Sequence, residues 1–132
     1  GRLRTQRVLV LEADGESIAR TVALETGNAI CTQARPEVRS AADVFRYFGG
    51  VVNELKGETV PLCEHVLSYT RREPIGVVGG IVPWNAPVIL GTLKIAMSVA
   101  AGNTLVLKAA EDAPLGLLRV AELCHEHLPP GL

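Results

Sequence analysis

Residues 75–82 form a β-branched, glycine-containing run that is soon followed by an asparagine standing between two prolines. The run and its continuation read Ile75-Gly76-Val77-Val78-Gly79-Gly80-Ile81-Val82 and Pro83-Trp84-Asn85-Ala86-Pro87. A continuous apolar run of this length is typical of a parallel strand that is covered on both faces. Asn85 would then lie at the carboxyl end of a buried strand, where open α/β sheets bind their ligands.

The segment that follows extends this prediction to an α/β fold. Residues 88–101 are apolar nearly all round, as expected of a buried helix, and Gly102 favours its end. Residues 104–108 predict a second short strand, after which Asp112 can cap another helix. The second half of the chain is therefore predicted to be an incomplete Rossmann-like parallel βαβα unit, since two strands do not complete a doubly wound sheet.

The first half predicts helices and then a β-hairpin. One helix ends at Gly27, and another runs from Pro36 to a stop at Gly57. Residues 59–70 have the pattern of a hairpin, which could be either a projecting oligomerisation arm or an edge hairpin of the same domain. We therefore divide the chain into an N-terminal helical segment (1–57), a hairpin with its connector (58–74) and a partial dinucleotide-binding domain (75–132).

The composition favours a cytoplasmic globular protein. The chain has 132 residues, 48% of them hydrophobic, and a formal net charge of −1. So weak a charge gives no electrostatic reason to bind nucleic acid or an anionic membrane, and the apolar helix is shorter than a membrane span. No secretory leader opens the sequence. The cysteines Cys31, Cys63 and Cys124 include no CxxC pair, which favours small buried thiols over a disulfide framework.

Four residues could carry chemistry, and each has an ordinary structural alternative. The Asn85 amide could donate to a developing oxyanion, or it could simply form a turn. Lys94 is the lone cation of the apolar helix, so it is either functional or extends to a surface. Lys108 and Glu111 follow the second strand. That carboxylate could accept hydrogen bonds from nucleotide ribose hydroxyls, or it could pair with the lysine on the surface.

Neither a glycine-rich phosphate loop nor a metal site is predicted. Residues 76–80 do not match the GxGxxG pattern, and no lysine belongs to a GxxxxGK[ST] loop. Cys124, His125 and His127 are close in sequence, but on a helix His125 points away from the other two and no fourth ligand is evident.

The candidate positions and their surroundings resemble the aldehyde dehydrogenase family. That family carries a strand ending in Pro-Trp-Asn-Phe-Pro, a helix with a lysine, an Ala-Gly-Asn turn, a strand ending in Lys-x-x-Glu and a later Pro-Pro-Gly turn. In the same order this chain has Pro83-Trp84-Asn85-Ala86-Pro87, Lys94, Ala101-Gly102-Asn103, Lys108-Ala109-Ala110-Glu111 and Pro129-Pro130-Gly131. Upstream matches such as Leu24-Glu25-Thr26-Gly27 extend the resemblance over nearly the whole chain.

The resemblance implies a role for each candidate residue. Asn85 would donate to the oxyanion of a thiohemiacetal, and Lys94 would lie beside a proton relay. Lys108 and Glu111 would hold the adenosine ribose. The cofactor cleft near the nicotinamide would be lined by Ile81, Val82, Pro83 and Trp84. An aliphatic substrate channel would be lined by Ala86, Ile89, Leu90 and Leu93. Such a channel disfavours quaternary ammonium aldehydes, since cation–π recognition needs aromatic rings.

The resemblance also implies what these 132 residues lack. The family's nucleophilic cysteine, general-base glutamate and pyrophosphate turn would all follow Leu132, so the chain alone is expected to be inactive. The leading interpretation is part of an NAD-dependent aldehyde dehydrogenase, with NADP as another possible cofactor. It would oxidise an aldehyde to a carboxylic acid and form a homo-oligomer, either a dimer or a tetramer. The alternatives are a non-catalytic binding or assembly module and an aldehyde dehydrogenase that acylates coenzyme A.

Overall fold

The computed structural model of the protein describes residues 10–128 and has the predicted α/β fold. Helices come first, a hairpin follows, and a parallel strand–helix–strand–helix unit ends the described part. In chain order the helices and strands are α1 (Gly15–Thr26), α2 (Arg35–Val51), β1 (Thr59–Cys63), β2 (Val66–Tyr69), β3 (Val77–Ile81), α3 (Pro87–Ala100), β4 (Thr104–Lys108) and α4 (Leu115–His127). A π-helical turn (Ile30–Ala34) precedes α2, and a 3₁₀ turn (Val52–Glu54) follows it.

Strands β3 and β4 pair in parallel, with α3 crossing between them. The register runs from Val77 opposite Thr104 to Ile81 opposite Lys108. Gly80 permits the close approach of α3 to this sheet, because a Cβ there would lie 2.8 Å from Leu107 Cδ1 and 3.1 Å from Lys94 Cδ. The predicted parallel unit is therefore confirmed.

The cover of β3 differs from the sequence prediction. Within residues 10–128, α3 covers one face of the β3–β4 pair, whereas the apolar run predicted cover on both. Val77 and Ile81 are 70% and 74% exposed, and Val106 of β4 is 67% exposed. Side chains alternate along a strand, so these three share the face opposite α3. An apolar pattern reports which residues favour burial, and it carries no information on whether a covering layer is near.

The hydrophobic core lies on the outer side of α3, where α2 and α4 pack against it and α1 packs against α2 and α4. Gly91 of α3 allows the closest contact, since a Cβ there would lie 2.3 Å from Leu117 Cδ1 of α4. The buried cluster combines residues of the N-terminal helices with residues of the parallel unit. It contains Leu11, Ile18, Ala19, Val22, Ala34, Val38, Ala41, Ala42, Val88, Ile95, Val120 and Leu123.

The helix ends are partly as predicted. Helix α1 is followed by Gly27 in the left-handed conformation (φ 76°), and α3 by Gly102 (φ 81°), as the sequence indicates. Helix α2 ends at Val51, however, and not near Gly57. Leu55 therefore lies beyond the end of the helix and is exposed.

The hairpin prediction is confirmed, and the hairpin stands largely in solvent. Strands β1 and β2 are antiparallel, with Thr59 opposite Tyr69 and Pro61 opposite Leu67. Leu62 and Leu67 are among its exposed apolar side chains. None of the helices within residues 10–128 is long and apolar enough to cross a membrane.

Candidate functional site

The carboxyl ends of β3 and β4 meet at one edge of the parallel pair. Ile81 lies opposite Lys108, and the Val82 N–H donates to the Lys108 carbonyl over 3.1 Å. The loop after β3 carries Asn85, and the loop after β4 carries Glu111. The two predicted groups of site residues therefore follow adjacent strand ends.

Asn85 is exposed in the short loop between β3 and α3. Its backbone carbonyl accepts a hydrogen bond from Asn28 Nδ2 over 3.0 Å. Its side-chain amide makes no hydrogen bond to any residue that the structure describes. An amide held by its own backbone, with both N–H bonds unused, can donate to an oxygen that develops negative charge.

Helix α3 begins directly after this loop and has no local side-chain cap. Ala86 precedes the helix with non-helical backbone angles (φ −149°, ψ 63°), and Pro87 occupies the first helical turn. The cap comes instead from α2: Glu37 Oε1 accepts from the N–H of Val88 over 2.8 Å and from that of Ile89 over 3.2 Å. Burial raises the pKa of Glu37 above its ordinary value, although the two backbone N–H groups act in the opposite direction.

The predicted ribose-binding pair lies at the end of β4, where Lys108 is the last strand residue, and in the loop that follows it, which carries Glu111. Lys108 Nζ lies 2.9 Å from Glu111 Oε1, and both side chains are mostly exposed. The hydrogen bond from Lys108 lowers the pKa of Glu111, so the carboxyl is ionised at neutral pH. It remains able to accept further hydrogen bonds, because each carboxylate oxygen has two lone pairs.

Helix α4 is also capped from the N-terminal helices, and the predicted cap at Asp112 is wrong. No residue next to α4 caps it with a side chain. Glu25 of α1 accepts from the Leu115 N–H through Oε2 over 2.6 Å and from the Gly116 N–H through Oε1 over 2.9 Å. Both long-range caps escaped prediction from the sequence. Their one visible signal is that neither helix start has a well-placed Ser, Thr, Asp or Asn of its own.

Lys94 and the predicted channel residues lie along α3. Lys94 is half-buried, its stem runs past Gly80, and no residue in the described part of the chain pairs with its ammonium. Four side chains of the predicted substrate channel are half-buried: Ala86, Ile89, Leu90 and Leu93. Ile89 also packs against the hydrophobic core, so only part of it is available to a ligand.

The predicted cofactor-facing residues differ in exposure. Ile81 is exposed at the end of β3, and so are Pro83 and Trp84 in the loop. Val82 is 2% exposed and belongs to the interior. Val82 could therefore contact a ligand at this edge through its backbone but not through its side chain.

A parallel strand pair with polar side chains on the loops at its carboxyl edge is typical of open α/β proteins, which bind their ligands at this edge. Residues 4–132 match the model described as the aldehyde dehydrogenase family. The chain therefore belongs to the aldehyde dehydrogenase family, as the sequence motifs predict.

Individual relatives agree with this assignment. The chain is 40% identical over 133 residues to an aldehyde dehydrogenase of Aspergillus niger, covering 100% of this chain and 27% of that protein. It superimposes on the NAD⁺ complex of an aldehyde dehydrogenase from Bacillus cereus with a TM-score of 0.91 and 35% identity, covering 97% of this chain and 26% of that one. A similar structure is the glyceraldehyde-3-phosphate dehydrogenase GapN of Methanocaldococcus jannaschii DSM 2661 complexed with NADP (TM-score 0.88, 32% identity, 96% and 27% covered). The chain spans about a quarter of the length of each of these relatives.

Proposed function

We propose that this chain supplies the cofactor-side part of an NAD-dependent aldehyde dehydrogenase that oxidises an aldehyde to a carboxylic acid. The observation that carries the proposal is the parallel register at the sheet edge. It sets the Asn85 loop beside the Lys108–Glu111 loop, with Ile81 and Lys108 as direct neighbours. A group that can stabilise an oxyanion and a group that can bind a ribose are thus presented at one edge.

Asn85 is the proposed oxyanion donor. Its side-chain N–H groups are unused within residues 10–128, while its backbone is held by Asn28. A donor of this kind would stabilise the tetrahedral thiohemiacetal formed when a cysteine outside this chain attacks the aldehyde. Removing one such donor typically lowers kcat by about 10²- to 10³-fold.

Lys108 and Glu111 are the proposed ribose-binding residues. The ionised Glu111 carboxylate can accept hydrogen bonds from the two ribose hydroxyls, while Lys108 balances its charge. A bound nicotinamide dinucleotide would supply the hydride acceptor for the oxidation. The similar solved structures include complexes with NAD⁺ and a complex with NADP. We favour NAD because a carboxylate repels a 2′-phosphate, and NADP remains the second candidate.

The remaining predicted residues complete the proposal. Ile81, Val82, Pro83 and Trp84 would border the nicotinamide side of the cofactor, with Val82 contributing its backbone. Lys94 would lie beside the proton-relay region, a role supported by its lack of a charged partner within the described residues. Ala86, Leu90 and Leu93, together with the free part of Ile89, would line an aliphatic substrate channel. The division into a helical segment (1–57), a hairpin (58–74) and a cofactor-binding segment (75–132) belongs to the same proposal.

The test uses the complete protein that contains this chain, assayed with aliphatic aldehydes and NAD by the absorbance of the reduced cofactor. We expect Asn85→Ala to lower kcat by about 10²- to 10³-fold. Asn53→Ala is the matched control, because Asn53 is an exposed asparagine in the 3₁₀ turn after α2. Equal activity of the two variants would contradict the role of Asn85. If an acyl-coenzyme A thioester forms when coenzyme A is added, the enzyme transfers the acyl group to coenzyme A and not to water.

Trp84 gives a separate measurement of cofactor binding. It is the only tryptophan of the chain and is exposed beside the sheet edge. In the complete protein, with any other tryptophan replaced by phenylalanine, saturating NAD should change its fluorescence. An unchanged spectrum would place the cofactor elsewhere.

A second function, assembly through the hairpin, is supported by its exposed apolar residues. Leu67 is 78% exposed and Leu62 is 66% exposed, and they lie on neighbouring strands of the same hairpin. Exposed apolar patches of this kind mark association surfaces. We propose that residues 58–74 contribute to a homo-oligomer, either a dimer or a tetramer.

A further inference from the structure

Two glutamates of the N-terminal helices hold the two loops that carry the proposed site residues. We propose that Glu37 is the positioning residue of the Asn85 loop and that Glu25 is the positioning residue of the Glu111 loop. This inference rests on the proposed function for what the loops do, but the contacts that carry it are independent of any reaction. Neither glutamate would touch substrate or cofactor.

The first contact fixes the start of α3. Glu37 is buried, and its Oε1 accepts from two successive backbone N–H groups, those of Val88 and Ile89. A carboxylate at a helix N-terminus also interacts favourably with the helix dipole. Since α3 lacks a local cap, this carboxylate is the polar group that holds its first turn in place.

The position of Asn85 follows from that anchor. Only residues 82–86 lie between the end of β3 and the first residue of α3. The strand end is fixed by the Val82–Lys108 hydrogen bond, and the helix start is fixed by Glu37. Asn28 then holds the Asn85 carbonyl itself. A shift of the first turn of α3 would therefore move the Asn85 amide.

The second contact is chemically different from the first. Glu25 uses both carboxylate oxygens, one for Leu115 and one for Gly116, whereas Glu37 uses a single oxygen for its two bonds. Residues 109–114 separate β4 from α4, and Glu111 lies within them. A cofactor-binding carboxylate thus depends on Glu25 in the way that the oxyanion donor depends on Glu37.

This difference predicts opposite responses to the same conservative substitution. Glu37→Gln keeps one carbonyl-type oxygen, which suffices for both bonds, and the position of Oε2 is neither hydrogen-bonded within residues 10–128 nor sealed from solvent. Glu25→Gln replaces one of two required acceptors with an NH₂ donor, which then faces a backbone N–H. Glutamine should therefore rescue position 37 and fail to rescue position 25.

The experiment measures kcat and NAD affinity in the complete protein that contains this chain. We expect Glu37→Ala to lower kcat on the order of 10- to 10²-fold, the size of effect that a displaced catalytic group can have. Glu37→Gln should stay close to wild type. Glu25→Ala and Glu25→Gln should both weaken NAD binding by about tenfold while changing kcat at saturating NAD by about twofold or less. Each glutamate is the control for the other.

Hydrogen exchange followed by mass spectrometry tests the inference without any activity. Glu37→Ala should speed amide exchange in the peptide around residues 82–93 and leave residues 109–118 unchanged, and Glu25→Ala should do the reverse. Localised exchange in a protein with no aldehyde-oxidising activity would support the positioning roles and refute the proposed function. Faster exchange throughout the protein, or equal effects of both variants on both loops, would overturn the positioning roles.

Discussion

The two strand pairs of this molecule have similar apolar content but different surroundings. The parallel pair β3–β4 is backed on one face by α3, behind which α1, α2 and α4 form the core. The hairpin β1–β2 has no such layer among residues 10–128, and nearly all of its side chains are exposed. An isolated two-stranded hairpin is at best marginally stable in water. The difference between the two pairs therefore lies in the helix that backs one of them, and not in the strands themselves.

The open surfaces of both pairs are apolar. Ile81 and Val106 are exposed on the parallel pair, as Leu62 and Leu67 are on the hairpin. On the parallel pair the open face lies next to the edge that carries the proposed site residues, whereas none of the proposed site residues lies on the hairpin. The open face of the parallel pair suits a ligand or a further part of the complete protein. The hairpin surface suits association with another protein.

The largest expected effect concerns the layer that backs the parallel pair. Gly91 and Gly50 both lie in helices, where replacement by alanine normally stabilises by about 0.5–1 kcal/mol. At Gly91 the new Cβ would lie 2.3 Å from Leu117 Cδ1, and Leu117 is fully buried. We expect Gly91→Ala to lower the free energy of unfolding by about 1–3 kcal/mol, as overpacking does.

Gly50→Ala is the matched control, because a Cβ added at this exposed position in the last turn of α2 would meet no atom within 4 Å. Equilibrium unfolding in urea, followed by circular dichroism, should show opposite signs for the two variants. A stabilised Gly91→Ala variant would mean that α4 does not pack closely on α3.

The reactivity of the cysteine thiols allows the covered and open regions to be compared. Cys63 is exposed on the hairpin, while Cys124 is half-buried on α4, and burial raises the pKa of the Cys124 thiol to about 11. The thiolate is the reactive form, so at pH 8 a thiol with that pKa is ionised about 10²-fold less than an ordinary one.

Alkylation with iodoacetamide, followed by peptide mass spectrometry, should therefore modify Cys124 about 10²-fold more slowly than free cysteine under the same conditions, and more slowly than the exposed Cys63. Cys31 serves as a second exposed reference, since it lies on the surface outside the hairpin. Comparable rates at Cys63 and Cys124 would indicate that the face of α4 bearing Cys124 opens readily.

The sequence predicted what depends on local pattern and missed what depends on distant contacts. The helix end at Gly27 follows from a rule that acts over a few residues. The position of Asn85 and Glu111 at one sheet edge follows from a rule for a single strand–helix–strand unit. The caps could not be predicted in that way, because Glu37 lies 51 residues from Val88 and Glu25 lies 90 residues from Leu115. The exposure of Val77 was missed for a related reason: burial of a strand face depends on which elements are present to cover it.

The smallest expected effect on folding concerns the hairpin. Leu67 is mostly exposed and has no core to leave, so Leu67→Ser should change the free energy of unfolding by about 0.5 kcal/mol or less. If the hairpin is an association surface, the same substitution should lower the apparent mass of the complete protein in analytical ultracentrifugation. Leu24→Ser is the control, because Leu24 is 88% exposed on α1 and far from the hairpin in sequence. An oligomer that survives Leu67→Ser but dissociates with Leu24→Ser would place the association surface on the helical layer. The hairpin would then have no role in association that distinguishes it from the parallel pair.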